Sequence, residues 1–156
     1  MALEAVIVPG RLEHAFVLST TMREKDVREL EACGLTPLQA LLQSVRVSEV
    51  CCAALYDDVV GALFGVERLP VPTLGAPDRL WFLTGHPFAE KPMAFFRAAK
   101  RVVGALLERH PVLVNVIDAR HDDALRFARA LGAELGPSFP FGPQGLPFVP
   151  FIIRRP

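Results

Sequence analysis

Residues able to do chemistry are few in this chain. The densest titratable group is Asp118, His121, Asp122 and Asp123. Three carboxylates and an imidazole hold a metal ion only if they converge. At the start of a helix the same residues are accounted for by capping and by the helix dipole, so no metal site is expected there. His86 follows the apolar run Leu80–Thr84 and precedes Pro87; an imidazole there can meet a phosphate, act as a base or simply occupy a turn. Glu67 ends another apolar run, where a carboxylate can accept a proton from an amine or face solvent. Asn115 interrupts the apolar run Val112–Ile117, and a buried amide there must be hydrogen-bonded, either across a sheet or to a ligand. Cys33, Cys51 and Cys52 have neither zinc-type spacing nor a neighbouring histidine to activate them.

The elements that must position these residues follow from periodicity and punctuation. Ala15–Ser19 reads as a short strand. Thr21 and Glu24 have capping-box spacing, and Val27, Leu30 and Cys33 then recur at helical spacing up to a stop at Gly34. Thr36-Pro37-Leu38-Gln39 opens a second helix, with Leu38, Leu41, Leu42 and Val45 on one face. Val50–Tyr56 and Val59–Val66 read as strands joined through Asp57-Asp58, and the proline-bearing stretch Leu69–Asp78 as a loop. After the strand Leu80–Thr84 comes the longest helix, Glu90–Arg109. Its expected buried stripe is Met93, Phe96, Ala99, Val103, Leu106 and Leu107, with Arg97, Lys100 and Arg101 outside.

Val112–Ile117 reads as a strand covered on both faces. Asp122 and Asp123 start a helix that buries Leu125, Ala128 and Leu131 and stops at Gly132. The last 21 residues hold six prolines and four phenylalanines. They are expected to form an arm over residues 136–156 that folds back and ends in an edge strand. The order β-α-α-β-β-β-α-β-α-β describes one α/β domain over residues 1–156, layered in α+β fashion around a mixed sheet.

Seventeen basic and seventeen acidic residues cancel, so no global field draws nucleic acid to the chain. The apolar share is 51%, but no stretch approaches the roughly 18 residues of a membrane span. No basic-then-apolar leader opens the chain, and a cytoplasmic location is expected.

The segment Val116-Ile117-Asp118-Ala119-Arg120-His121-Asp122-Asp123-Ala124-Leu125-Arg126-Phe127-Ala128-Arg129-Ala130-Leu131-Gly132-Ala133-Glu134 resembles the GNAT N-acyltransferases. Their pattern is a strand, Ala-Arg-Asn, two residues, Ala-Ile-Arg-Phe-Tyr, two residues, and Leu-Gly-Phe-Glu. The wider chain is similar to GNAT-like proteins of T7-type and related tailed phages, through Phe64-Gly65-Val66, Trp81–Gly85, Phe95-Phe96-Arg97, His110–Ala119 and Gly142–Phe148.

The resemblance implies a mixed sheet of six to seven strands flanked by four helices, and an acetyl-CoA or other acyl-CoA groove. That groove would involve Leu83, Thr84, Gly85, Phe88, Lys91, Asn115 and His121, with His86 and Glu67 as candidate catalytic groups. Two devices of the family are absent. The glycine-rich pyrophosphate turn is replaced by Gly85-His86-Pro87-Phe88-Ala89-Glu90-Lys91-Pro92, and the tyrosine that protonates the leaving thiolate is replaced by Ala128. His121 also stands for the asparagine and Ala133 for the phenylalanine. The implied function is therefore acyl transfer with weakened or lost catalysis. The alternative is a non-enzymatic phage protein that acts in particle assembly or binds a host protein.

Overall fold

A computed structural model of the chain describes residues 5–69 and 76–156; the loop expected over Leu69–Asp78 falls mostly outside the described residues. The elements run β1 (Val6–Pro9), α1 (Leu12–Ser19), α2 (Glu24–Ala32), α3 (Pro37–Val47), β2 (Val50–Tyr56), β3 (Val59–Glu67) and β4 (Asp78–Thr84). They continue with α4 (His86–Glu90), α5 (Pro92–Arg109), β5 (Val112–Asp118), α6 (Asp122–Ala130), β6 (Glu134–Leu135), β7 (Phe139–Phe141) and β8 (Leu146–Arg154). The layered mixed-sheet class holds, with eight strands and six helices described where six to seven and four were expected. No helix of the described residues is long and apolar enough to cross a membrane.

The sheet order is β1-β2-β3-β4-β5-β8-β6, with β7 also on β8. Every pairing is antiparallel except β4 with β5, which is parallel and extends over only two pairs, Asp78 with Leu113 and Arg79 with Val114. Beyond Arg79 the two strands part. The gap that opens between Leu80–Thr84 and Asn115–Asp118 is the central feature of the molecule.

Local rules account for most elements. Thr36 caps α3 as expected: its hydroxyl accepts from the Gln39 amide at 3.2 Å, and the Gln39 side chain accepts from the Thr36 amide at 3.0 Å. Asp57 and Asp58 both take positive φ, 49° and 65°, which the tight β2–β3 hairpin requires. Gly34 ends α2 at φ 81°.

Four expectations need correction. Ala15–Ser19 lies in helix α1, not in a strand; Ala15 and Leu18, three apart, face the core, and a short apolar run carries no period that separates helix from strand. The first strand is instead Val6–Pro9. Thr21 does not cap α2, because residues 21–23 are pinned to the end of β4. The Thr21 carbonyl accepts from the His86 amide at 3.0 Å, and the Arg23 amide donates to the Thr84 carbonyl at 3.0 Å. In α5 the buried residues are Ala94, Phe95, Ala98, Ala99, Val103, Leu106 and Leu107, while Met93 is 61% exposed. Ala99, Val103, Leu106 and Leu107 are buried as expected, and only in the first turns do Ala94, Phe95 and Ala98 take the place of Met93 and the half-buried Phe96.

The last strand, β8, is interior rather than an edge. Its prolines fall where a neighbour needs no amide. The Pro150 carbonyl meets the Gly136 amide in the break between β6 and β7, and the Pro147 carbonyl meets Ala119 just past the end of β5. The arm folds back as expected, placing Phe148 in the core and Gly142 against α2, where a Cβ would stand 2.2 Å from the Ala32 carbonyl oxygen.

Candidate functional site

Where β4 and β5 part, their facing edges present backbone groups that no strand covers. α2 supplies partners for them. Asp26 is buried, and its Oδ2 accepts from the Thr84 amide at 2.8 Å and from the Thr84 hydroxyl. Three residues on, Glu29 Oε2 accepts from the Asp118 amide at 3.0 Å. One face of α2 thus spans the gap, with a carboxylate on each strand. Asn115 closes the narrow end. Its Nδ2 donates to the Leu80 carbonyl at 2.8 Å and its Oδ1 accepts from the Val116 amide at 2.7 Å, so this half-buried amide is satisfied across the sheet and on its own strand.

The α6 end is tied to the same helix. His121 is buried; its Nε2 lies 2.5 Å from Asp26 Oδ1, and its Nδ1 accepts from the Ala124 amide at 3.3 Å as the N-cap of α6. Because Nδ1 accepts, Nε2 carries the proton and donates to Asp26. Burial lowers the His121 pKa, but the Asp26 carboxylate and Glu29 more than offset it, and the result lies above the ordinary histidine value. Burial pushes the Glu29 carboxyl up to about 7, although the Asp118 amide and His121 pull it down. Asp118, despite burial, is held low by three hydrogen bonds from Arg120. Asp123 is held well below the carboxylate range, chiefly by Lys25, with Arg126 and Arg23 assisting. Asp118, His121 and Asp123 therefore engage separate partners. Among the described residues no three His, Cys, Asp or Glu side chains gather as a metal ion would require.

The α5–α6 side of the gap is filled by rings. Phe127 packs against Phe82, Phe95 and Phe88, with centroids at 5.3, 5.5 and 5.9 Å. Arg23 lies over the Phe88 ring at 5.0 Å while its Nη2 reaches Asp123 at 2.7 Å, which shuts the mouth between α4 and α6. The cavities left on this side measure about 70 and 50 Å³. On the α2–α3 side a larger cavity of about 540 Å³ remains, walled by Trp81, Phe141 and Phe148 and touched by Glu29, Gln43 and Arg79.

The sequence-predicted residues are scattered by comparison. Thr84 and His121 meet through Asp26, and Phe88 lies at the plugged mouth. Leu83 and Asn115 line the larger cavity. Gly85 donates its amide to Gly61 at 2.8 Å. His86 is exposed in α4 and Lys91 is the exposed residue between α4 and α5, so neither reaches the gap. Glu67 is not free to act as a base, because it pairs with Arg79. In the turn before α5 the amides of Gly85, His86, Phe88 and Lys91 all donate to protein carbonyls and Pro87 has none, so these positions offer no free amide to a pyrophosphate. Sequence reasoning missed Asp26 and Glu29; the available signal was an acidic pair three apart beside the buried Leu30.

A parallel pair that parts after two residues, with helices on both faces, is the decisive observation. Structural comparison agrees with it. A protein assigned as an acetyltransferase superposes with a TM-score of 0.73 at 21% identity, covering 97% of this chain and 86% of its own. A GNAT-family acetyltransferase from Bacillus anthracis gives 0.71 at 9%, covering 99% and 96%. A protein from Salmonella typhimurium assigned as an acetyltransferase, solved with its cofactor acetyl-CoA, gives 0.69 at 10%, covering 97% and 94%. The fold is that of the GNAT acetyltransferases. No protein-family model matches the chain, and no curated protein sequence matches it.

Within the GNAT fold, Ala128 stands where the resemblance placed the family's tyrosine, and it is buried against the 70 Å³ cavity. The chain's single tyrosine, Tyr56, packs beside Ala62 and Phe64 in another part of the core, with burial raising its pKa to about 12. Cys51 is likewise pushed up to about 11 by burial, and burial raises Cys33 and Cys52 as well. Neither a thiolate nucleophile nor a phenol acid is at hand.

Proposed function

We propose that this chain is a GNAT-fold protein that has lost acyl-CoA-dependent transfer and works by binding. One observation carries the reading: the edge amides of the parted strands, at Thr84 and Asp118, are already taken by Asp26 and Glu29 of the chain's own α2. A ligand taking those amides would have to displace the buried Asp26 carboxylate and the half-buried Glu29 carboxyl, each losing a hydrogen bond at a cost of about 1–3 kcal/mol. The filled α6 side and the missing tyrosine act in the same direction.

The resemblance to tailed-phage proteins supports a binding role in particle assembly or on a host protein. Exposed apolar residues on α1, with Phe16 55% and Val17 52% exposed, offer contact area for such a partner. Calorimetry with acetyl-CoA up to millimolar concentration should give no saturable heat, and thermal melts no upward shift. Saturable binding together with acetyl transfer to an amine would overturn the reading.

A further inference from the structure

Away from the gap, the charged residues that rim one surface depression, among the described residues, are of a single sign. It has a volume of about 300 Å³ and is lined by Ala5, Ala94, Arg97, Lys100 and Arg101. Ala5 and Ala94 are 6% and 8% exposed and make its floor, while the three basic side chains are exposed around it. α5 provides no neutralising partner. The residues three and four positions from each cation are Met93, Ala94, Phe96, Ala98, Val103, Gly104, Ala105 or another of the three, and none is acidic. Arg97 and Arg101 moreover stand four apart, a like-charge spacing that costs a helix a few tenths of a kcal/mol. Three clustered positive charges on a chain of zero net charge are therefore not explained by the helix that carries them.

We propose that this depression binds a phosphoryl group carried on a small organic body. Two guanidinium groups and an ammonium within about one helical turn match the several charged oxygens of a phosphate better than the single charge of a carboxylate. The small alanine floor gives the site the shape of a pit, so a compact anion fits it better than an extended polyanion, which would follow a longer stripe. The site is separate from the parted strands. It lies beside Ala5, just before β1, whereas the rings that fill the gap gather around Phe88 and Phe127.

The full chain is titrated with inorganic pyrophosphate and with adenosine monophosphate, read by calorimetry and by amide shifts along residues 94–101. Saturable binding is expected, weakening by about tenfold between about 50 and about 300 mM salt as screening grows. The variant R97A/K100A/R101A should lose it while keeping its melting temperature, and K100E alone should weaken it markedly. Absence of binding by both phosphates, binding that survives the triple variant, or binding only of a glutamate peptide or single-stranded DNA would each overturn the proposal.

Discussion

Glu29 is the residue at which opposing forces are most closely balanced. Burial favours its neutral form, the Asp118 amide favours its carboxylate, and burial prevails, placing the pKa near 7. The folded value lies above the ordinary glutamate value of 4.5. The protonated group therefore contributes stability fully below pH 4.5, and that contribution is lost as the pH rises to about 7. A shift of this size corresponds to at most about 3 kcal/mol, less where solvent reaches the side chain. Glu29→Gln keeps the acceptor for the Asp118 amide and removes the ionisation. Its melting temperature should match the parent near pH 5 and exceed it at pH 8. A variant no more stable than the parent at pH 8 would show that Glu29 ionises without cost. At His121 burial lowers the pKa, and the hydrogen bond and charge of Asp26 together with Glu29 more than offset it, so the two buried partners are linked through one hydrogen bond.

Among the elements, α2 and the β2–β3 hairpin illustrate what could be read in advance and what could not. The helices α2, α3, α5 and α6 followed from periodicity and stop signals, because those rest on neighbours within a few residues. α1 and the interior place of β8 did not. An apolar run of five residues has no period, and whether a proline tolerates an interior strand depends on where the adjacent strand breaks. The candidate groove was legible as a strand–turn–helix segment around residues 80–92, but its plug was not. Asp26 and Glu29 look like the solvated face of a charged helix, and their partners Thr84, Asp118 and His121 lie 58 to 95 residues away. Asp57-Asp58 forms the tight turn that two flanking β-rich runs predict, and the structure adds its geometry. Both residues sit at positive φ with adjacent like charges, a conformation that Asn-Gly adopts with less strain. D57N/D58G should stabilise the fold by about 0.5–1 kcal/mol in urea titrations. A loss of stability would show that the aspartates make contacts beyond the turn.

At the scale of the whole molecule the sheet is two half-sheets, β1–β4 and β5–β8, joined by only two residue pairs. The remaining connections are side chains. His110 Nδ1 meets Asp78 Oδ2 at 2.7 Å at the closed end, Asn115 bridges to Leu80, the α2 carboxylates reach both strands, and the Phe82–Phe127 contact lies on the α6 side. A fold that parts its strands at the centre needs something in the part, and here polar side chains do what a ladder of backbone hydrogen bonds does elsewhere. Asn115 is the most economical of these, since one amide satisfies a carbonyl on β4 and an amide on its own strand. Asn115→Ala leaves the Leu80 carbonyl and the Val116 amide unpaired beside the 540 Å³ cavity, where water can partly replace the lost partner. The expected cost is about 2 kcal/mol of stability. Hydrogen exchange reads the bridge directly: the Val116 amide should exchange faster in the variant, by at least about tenfold, while amides paired between β2 and β3 keep their protection relative to global unfolding. Unchanged exchange at Val116 with unchanged stability would mean that the half-sheets are held by α2 and the phenylalanines alone.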